Sequence, residues 1–227
     1  MQNKLTKEKA LKILFQNIKD EKELLLPKNR WILHSLYVGR AAERIAKSIG
    51  INSEKALIYG YLHDIGRMIN HNNHPIEGYN YLINLGFENE ARICLTHSFI
   101  DNDINKTAGG GPKDKDSYDF INNYLLNHPH NVYDNIIQLC DLFCLETGFT
   151  TIEKRLLDIS NRKGIYDNSL EHYQFALYLK SRIEKVLNFS LYNLFPEIDI
   201  KNINNINKDK EELLNIFKNT NKKYLLK

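Results

Sequence analysis

Tyr59-Gly60-Tyr61-Leu62-His63-Asp64-Ile65-Gly66-Arg67 decides the reading of this chain. A histidine followed directly by an aspartate closes an apolar run of helical character, and a glycine follows two residues later. Neutral imidazole nitrogen and carboxylate oxygen both ligate divalent transition metals. Adjacent helical residues point about 100° apart, so His63 and Asp64 converge on one ion only at a helix end that faces a cleft. Alone, the dipeptide is a weak motif. Its weight depends on other ligand types that helices can carry back to the same point.

Such residues stand on both sides. His34 lies in Trp31-Ile32-Leu33-His34-Ser35-Leu36-Tyr37, and His74 and His97 follow in His74-Pro75-Ile76-Glu77-Gly78-Tyr79 and Cys94-Leu95-Thr96-His97. Asp141 sits in Ile136-Ile137-Gln138-Leu139-Cys140-Asp141-Leu142-Phe143, where a buried carboxylate needs a cation or hydrogen-bond partner. The order His…His-Asp…His…His…Asp, over about residues 28–145, resembles the HD-domain superfamily of metal-dependent phosphohydrolases, His-Asp-Ile-Gly string included. It is similar in particular to the di-metal branch of bacterial symmetrical bis(5′-nucleosyl)-tetraphosphatases, where His74 and His97 match two additional histidine ligands.

The resemblance implies an all-α, compact helical bundle with a metal site made by His34, His63, Asp64, His74, His97 and Asp141. Extra histidines flanking a shared carboxylate suit a pair of ions about 3.5–4 Å apart. Asp64 is then the bridge, with His34, His63 and Asp141 on one ion and His74 and His97 on the other. Mixed imidazole and carboxylate ligation fits one or two divalent ions of Fe, Mn, Co or Zn rather than Mg or Ca alone. Asp64 and Arg67 are the expected catalytic residues. Arg67, Arg30 and Lys113 are the expected phosphate contacts, since a guanidinium fork suits a phosphate. Arg155 is a weaker candidate for the same role.

The implied activity is hydrolysis of a phosphate ester or anhydride of a nucleotide or other small phosphorylated metabolite. Two alternatives remain: a di-iron oxygenase of the same fold acting on a polyol or phosphonate, and a non-catalytic nucleotide-sensing module. No His-His-Glu with Gly-Tyr-Pro combination occurs, which disfavours a cyclic-di-GMP phosphodiesterase.

Working outward, apolar spacing and capping residues predict helices from Thr6, over 29–49, 54–64, 75–85, 88–97, 117–127, 133–146, 151–162 and 168–188, with a terminal one over 208–219. Residues 98–116, with Gly109-Gly110-Gly111-Pro112, read as a long loop after the fifth ligand, and such loops are often functional. No strand-like alternation and no repeat is visible. The organisation expected is an N-terminal helical segment over 1–27, the main domain over 28–195 and a polar extension over 196–227.

With 227 residues and 42% hydrophobic content, the chain can bury a sizeable core. A net charge of +3 from scattered lysines does not indicate nucleic acid. Cys94, Cys140 and Cys144 lie on apolar runs without metal-type spacing and read as reduced core residues of a cytoplasmic protein. No signal-like or membrane-spanning run is present. The partner expected is a small phosphorylated substrate, a nucleotide first, with no membrane, and a homodimer left open. His71, His128, His130 and His172 are read as ordinary packing histidines.

Overall fold

The computed structural model describes residues 5–107, 111–112, 114–165, 167–198 and 205–222, and these are helical apart from one small hairpin. Helix α1 (Lys7–Phe15) starts where the Thr6 hydroxyl accepts the Lys9 amide, and the single turn α2 (Glu21–Leu24) is capped likewise by Asp20. These side chains satisfy amides that have no partner inside the helix. α3 (Arg30–Ser48) and α4 (Ser53–Leu62, capped by Asn52) follow, then α5 (His74–Asn84) and α6 (Glu88–Thr96). Beyond the long loop come α7 (Lys115–Asn127), α8 (Val132–Asp141), α9 (Ile152–Lys163), α10 (Ser169–Leu187) and α11 (Asn205–Lys222).

α3 and α4 are the central pair. Leu36, Tyr37, Ala41 and Ile45 of α3 pack with Leu57, Tyr61 and Leu62 of α4 and with Ile136, Leu139 and Cys140 of α8 in one buried core. Each large aliphatic group buried there contributes about 1.5–3 kcal/mol relative to exposure. The crossing of α3 over α4 depends on two glycines. A Cβ on Gly60 would overlap the Gly39 Cα and nitrogen, and one on Gly39 would meet the Tyr61 ring. Backbones this close leave no room for side chains, and the approach brings the His34 helix onto the His63 helix.

A buried polar knot joins α6 to α8. Asp134, fully buried, accepts Arg92 Nη2 at 2.7 Å and the Thr96 hydroxyl at 2.6 Å, and its other role is to close a capping box with Asn131. Gln138 Nε2 donates to the carbonyls of Thr96 at 2.8 Å and Phe99 at 3.1 Å. The ends of both helices are therefore fixed relative to each other.

Three expectations change. The helix expected over 133–146 ends at Asp141, and Cys144–Leu145 pairs antiparallel with Gly148–Phe149 instead. Gly148, at φ +138°, makes the reversal that a helix would forbid. The polar extension expected over 196–227 forms its terminal helix but also packs on the core: Leu213 and Phe217 of α11 are buried, and the Phe217 ring stands edge-on to Phe15 at 5.1 Å. The loop after His97 is partly folded, since Phe99 and Ile104 pack with Leu95, Ile121 and Leu125 in a second small core. Lys113, Gly109 and Gly110 lie outside the described residues. The three cysteines are buried and unpaired, as expected. Among the described residues no helix is long and apolar enough to cross a membrane.

Candidate metal centre

Five of the six predicted ligand residues occupy helix ends. His63 caps the C-terminus of α4 and Asp64 follows it, His97 caps the C-terminus of α6, and Asp141 is the last residue of α8. His74 opens α5, ahead of Pro75 in the first turn. His34 alone projects from within a helix, α3. Three helix C-termini thus point at one place. Their unsatisfied carbonyls carry partial negative charge, which favours a cation.

Gly66 sets the remaining approach. A Cβ there would overlap the His74 carbonyl oxygen and the Gly78 nitrogen, so only glycine lets the 3-10 turn Ile65–Met68 lie against the start of α5. That contact brings His74 to Asp64. His74 Nε2 is 3.2 Å and His97 Nε2 3.5 Å from Asp64 Oδ1, and the two imidazole nitrogens are 3.3 Å apart. On the other side, His34 Nε2 is 2.8 Å from Asp141 Oδ1, and the His34 and His63 ring centroids are 5.4 Å apart.

The tautomers follow from the backbone. His63 Nδ1 lies 2.8 Å from the Gly60 carbonyl, His97 Nδ1 3.1 Å from that of Ile93, and His74 Nδ1 3.2 Å from that of His71. A carbonyl only accepts, so each Nδ1 carries a proton, and in a neutral ring Nε2 presents its lone pair to the centre. Burial pushes the His63 imidazole down to about 4 despite the neighbouring Asp64 charge, and it lowers His74 well below the usual range. Both rings are neutral near pH 7. Burial works against ionisation of Asp64, but the Arg67 guanidinium and the histidines outweigh it and hold the carboxyl well below its ordinary value. At Asp141 the His34 hydrogen bond likewise overcomes burial and lowers the carboxyl.

Acceptors thus face acceptors. His63 Nε2 and Asp64 Oδ1 are buried without a hydrogen-bond partner, and the Nε2 lone pairs of His74 and His97 face the same oxygen. Unpaired buried polar atoms are costly. A divalent cation is the group that such a donor set fits, and among the described residues two sets occur: His34, His63 and Asp141, and His63, Asp64 and His97, each with all ligand atoms within 4.8 Å of one another. His63 belongs to both sets, whereas the sequence suggests Asp64 as the shared residue.

The cation candidates separate. Arg67 reaches the centre: Nε donates to Asp64 Oδ2 at 2.5 Å, Nη1 is 2.9 Å from His71 Nε2 and Nη2 3.5 Å from His74 Nε2. It pairs with Asp64 rather than with Glu77. Arg30, 59% exposed, lines the same cleft but lies 3.7 Å from Glu146. Lys113 lies outside the described residues. His71, read as a packing residue, instead stands exposed beside Arg67 on the cleft. His172, buried, also lines the cleft. Two groups were missed. Ser98 Oγ lies 3.0 Å from His97 Nε2, and Gln138 reaches the cleft one turn before Asp141. Adjacency to His97 and i−3 spacing from Asp141 were the available clues.

The centre forms the floor of a cleft of about 1090 Å³. A family model described as the HD domain matches residues 31–144, a span that takes in all six residues. No curated protein matches the chain, and no solved structure does.

Proposed function

Because the chain belongs to the HD-domain family, we propose that it is a metal-dependent phosphohydrolase that cleaves a phosphate ester or anhydride of a nucleotide or similar small metabolite. One observation carries this reading. Histidine rings, those of His63 and His74 held neutral, and two ionised carboxylates meet at the floor of a cleft with His63 Nε2 and Asp64 Oδ1 unpaired, and a guanidinium stands beside them. In this reading His34, His63 and Asp141 hold one ion, and Asp64 with His74 and His97 holds a second. The six-residue set is also what favours the di-metal branch over a single-ion site.

Bound divalent ions supply Lewis-acid activation of water and of a phosphoryl oxygen. The protein contributes the rest. The Gly60, Ile93 and His71 carbonyls orient three imidazole rings with Nε2 towards the centre. Arg67 lies within reach of both Asp64 and the open cleft, where its fork can take a phosphoryl oxygen while Nε stays on Oδ2. A donor fixed before the substrate arrives stabilises developing charge without reorganising. Arg30 lies on the cleft wall, where it would meet the distal part of a substrate.

The test is elemental analysis of freshly purified protein, followed by a panel of phosphomonoesters, phosphodiesters and dinucleoside polyphosphates with Mn, Fe, Co and Zn. Metal-dependent hydrolysis of at least one member, read as inorganic phosphate or as the cleaved nucleotide product, is the expected result. Metal-loaded protein that hydrolyses no member would overturn it, and oxygen uptake with a polyol or phosphonate would put an oxygenase in its place.

A further inference from the structure

Helix α9 turns one face to the cleft. Arg155, Asp158, Ile159 and Arg162 recur at helical spacing and all line it. Asp158 Oδ2 accepts from Arg155 Nη1 at 2.8 Å and from Arg162 Nε and Nη2 at 3.1 and 2.8 Å. Two guanidiniums therefore share one carboxylate, and a positive charge is left over. Arg155 is held most firmly: its side chain is 14% exposed, and its Nε is buried without a partner. The other carboxylates on the cleft are engaged elsewhere. Glu146 faces Arg30, Asp114 caps α7, and Asp64 and Asp141 belong to the metal centre.

We propose that this face of α9 is a second anion subsite, which takes a phosphate or similar dianionic group of the substrate other than the one that is hydrolysed. The inference rests on the phosphohydrolase reading for the word substrate, but the subsite needs no turnover to be seen. Planar forks anchored by a shared carboxylate are preorganised for phosphate oxygens. The size of the cleft points the same way. About 1090 Å³ lies at the upper end of small-molecule sites, which leaves room for a ligand with two charged ends. The subsite would make the enzyme select doubly phosphorylated substrates over singly phosphorylated ones.

Adenosine 3′,5′-bisphosphate and AMP distinguish the two cases. Their affinities are measured by titration calorimetry on the whole protein, once with excess chelator and once with Mn. The wild type should prefer the bisphosphate by about 10- to 100-fold in both conditions. Arg155→Gln and Arg162→Gln should each reduce that ratio severalfold, and Arg155→Lys should restore part of it. Arg162 is 52% exposed, so Arg162→Gln decides the matter even where Arg155→Gln fails to fold. Equal affinity of the wild type for the two nucleotides, or no binding of either, would overturn the subsite. So would an unchanged ratio in Arg162→Gln. A bisphosphate preference in a protein that hydrolyses nothing would remove the proposed activity and leave the subsite standing.

Discussion

Arg67 Nε donates to Asp64 Oδ2 at 2.5 Å, so the cation expected to meet phosphate is anchored on the carboxylate at the middle of the centre. The pair divides the labour of one aspartate. Oδ2 faces Arg67, and Oδ1 faces His74 and His97. Arg67→Ala should slow phosphate release by about 10- to 1,000-fold, roughly 1.4–4 kcal/mol of transition-state stabilisation. Metal content should not fall, because the variant frees an oxygen rather than removing a ligand. Arg67→Lys should recover part of the rate, since ammonium keeps the charge and loses the fork. Steady-state kinetics alongside elemental analysis check this, and wild-type turnover in Arg67→Ala would refute it.

The two proposed ion positions can be separated by stoichiometry. His74→Ala and His97→Ala should each lower the bound metal by about one ion per chain and leave an ion at His34, His63 and Asp141. Asp141→Ala should strip the other position, as should His34→Ala. Titration with Mn or Co, read by calorimetry, gives the counts. Variants at His74 and His97 that still bind as much metal as the wild type would show a single-ion site.

Much of this was legible in the sequence because its signals are local. Thr6 and the 3.6-residue spacing mark helices by short-range physics; Thr6 caps α1 as expected, and of the adjacent polar pairs 52–53 and 150–151 that could each cap a helix, Asn52 and Thr151 do so. The six candidate residues could be picked out for the same reason, since five of them stand at helix ends. What could not be read is long-range. Asp134 and Arg92 pair across 42 residues, and Leu213 and Phe217 gain their burial from α1 at the opposite end of the chain. Cys144–Leu145 continues an apolar helical pattern, and strands of two residues show no alternation to contradict it.

Gly60→Ala tests the closest backbone approach. The added Cβ would overlap Gly39, so α3 and α4 must separate. Overpacking of this kind costs about 1–3 kcal/mol, and in a chain of this length each kcal/mol lowers Tm by about 2–4 °C. Metal affinity should fall too, because His34 and His63 ride on the two helices. A melting curve and a Mn titration both read this; an Ala variant unchanged in each would show that the helices adjust freely.

Acid should weaken the chain through Glu197. Arg44 binds it bidentately, Nη1 to Oε2 at 2.9 Å and Nη2 to Oε1 at 2.6 Å. Burial raises the Glu197 carboxyl, but the Arg44 hydrogen bonds outweigh it and leave it below its ordinary value of 4.5. A carboxyl depressed in the folded state contributes stability that is present above about 4.5 and is lost as pH falls through the lowered folded value. Glu197→Gln should therefore melt below the wild type at pH 7, with the gap narrowing as pH drops below 4.5. A gap of constant size between pH 7 and 3 would assign the effect to packing alone.

Asp134→Ala tests what aligns the two halves of the centre. The carboxylate is fully buried and holds Arg92, Thr96 and the amide of Asn131, so its removal strands a guanidinium and opens the reciprocal half of the α8 capping box in one step. Removing one partner of a buried pair costs about 3–5 kcal/mol, which corresponds to roughly 6–20 °C in Tm for this length. The functional effect follows from geometry. Thr96 precedes His97, and Gln138 of α8 donates to the Thr96 carbonyl one turn before Asp141. A loosened α6–α8 contact therefore lets His97 drift from the rest of the centre, although neither Asp134 nor Arg92 is a ligand. Asp134→Asn, whose single amide oxygen can keep the bond from Thr96 or the one from Asn131 but not both, should lose less stability than Asp134→Ala. Melting temperature and Mn affinity should fall together across the two variants. An Asp134→Ala protein that melts within about 2 °C of the wild type would show that the helix ends are held by the apolar core alone.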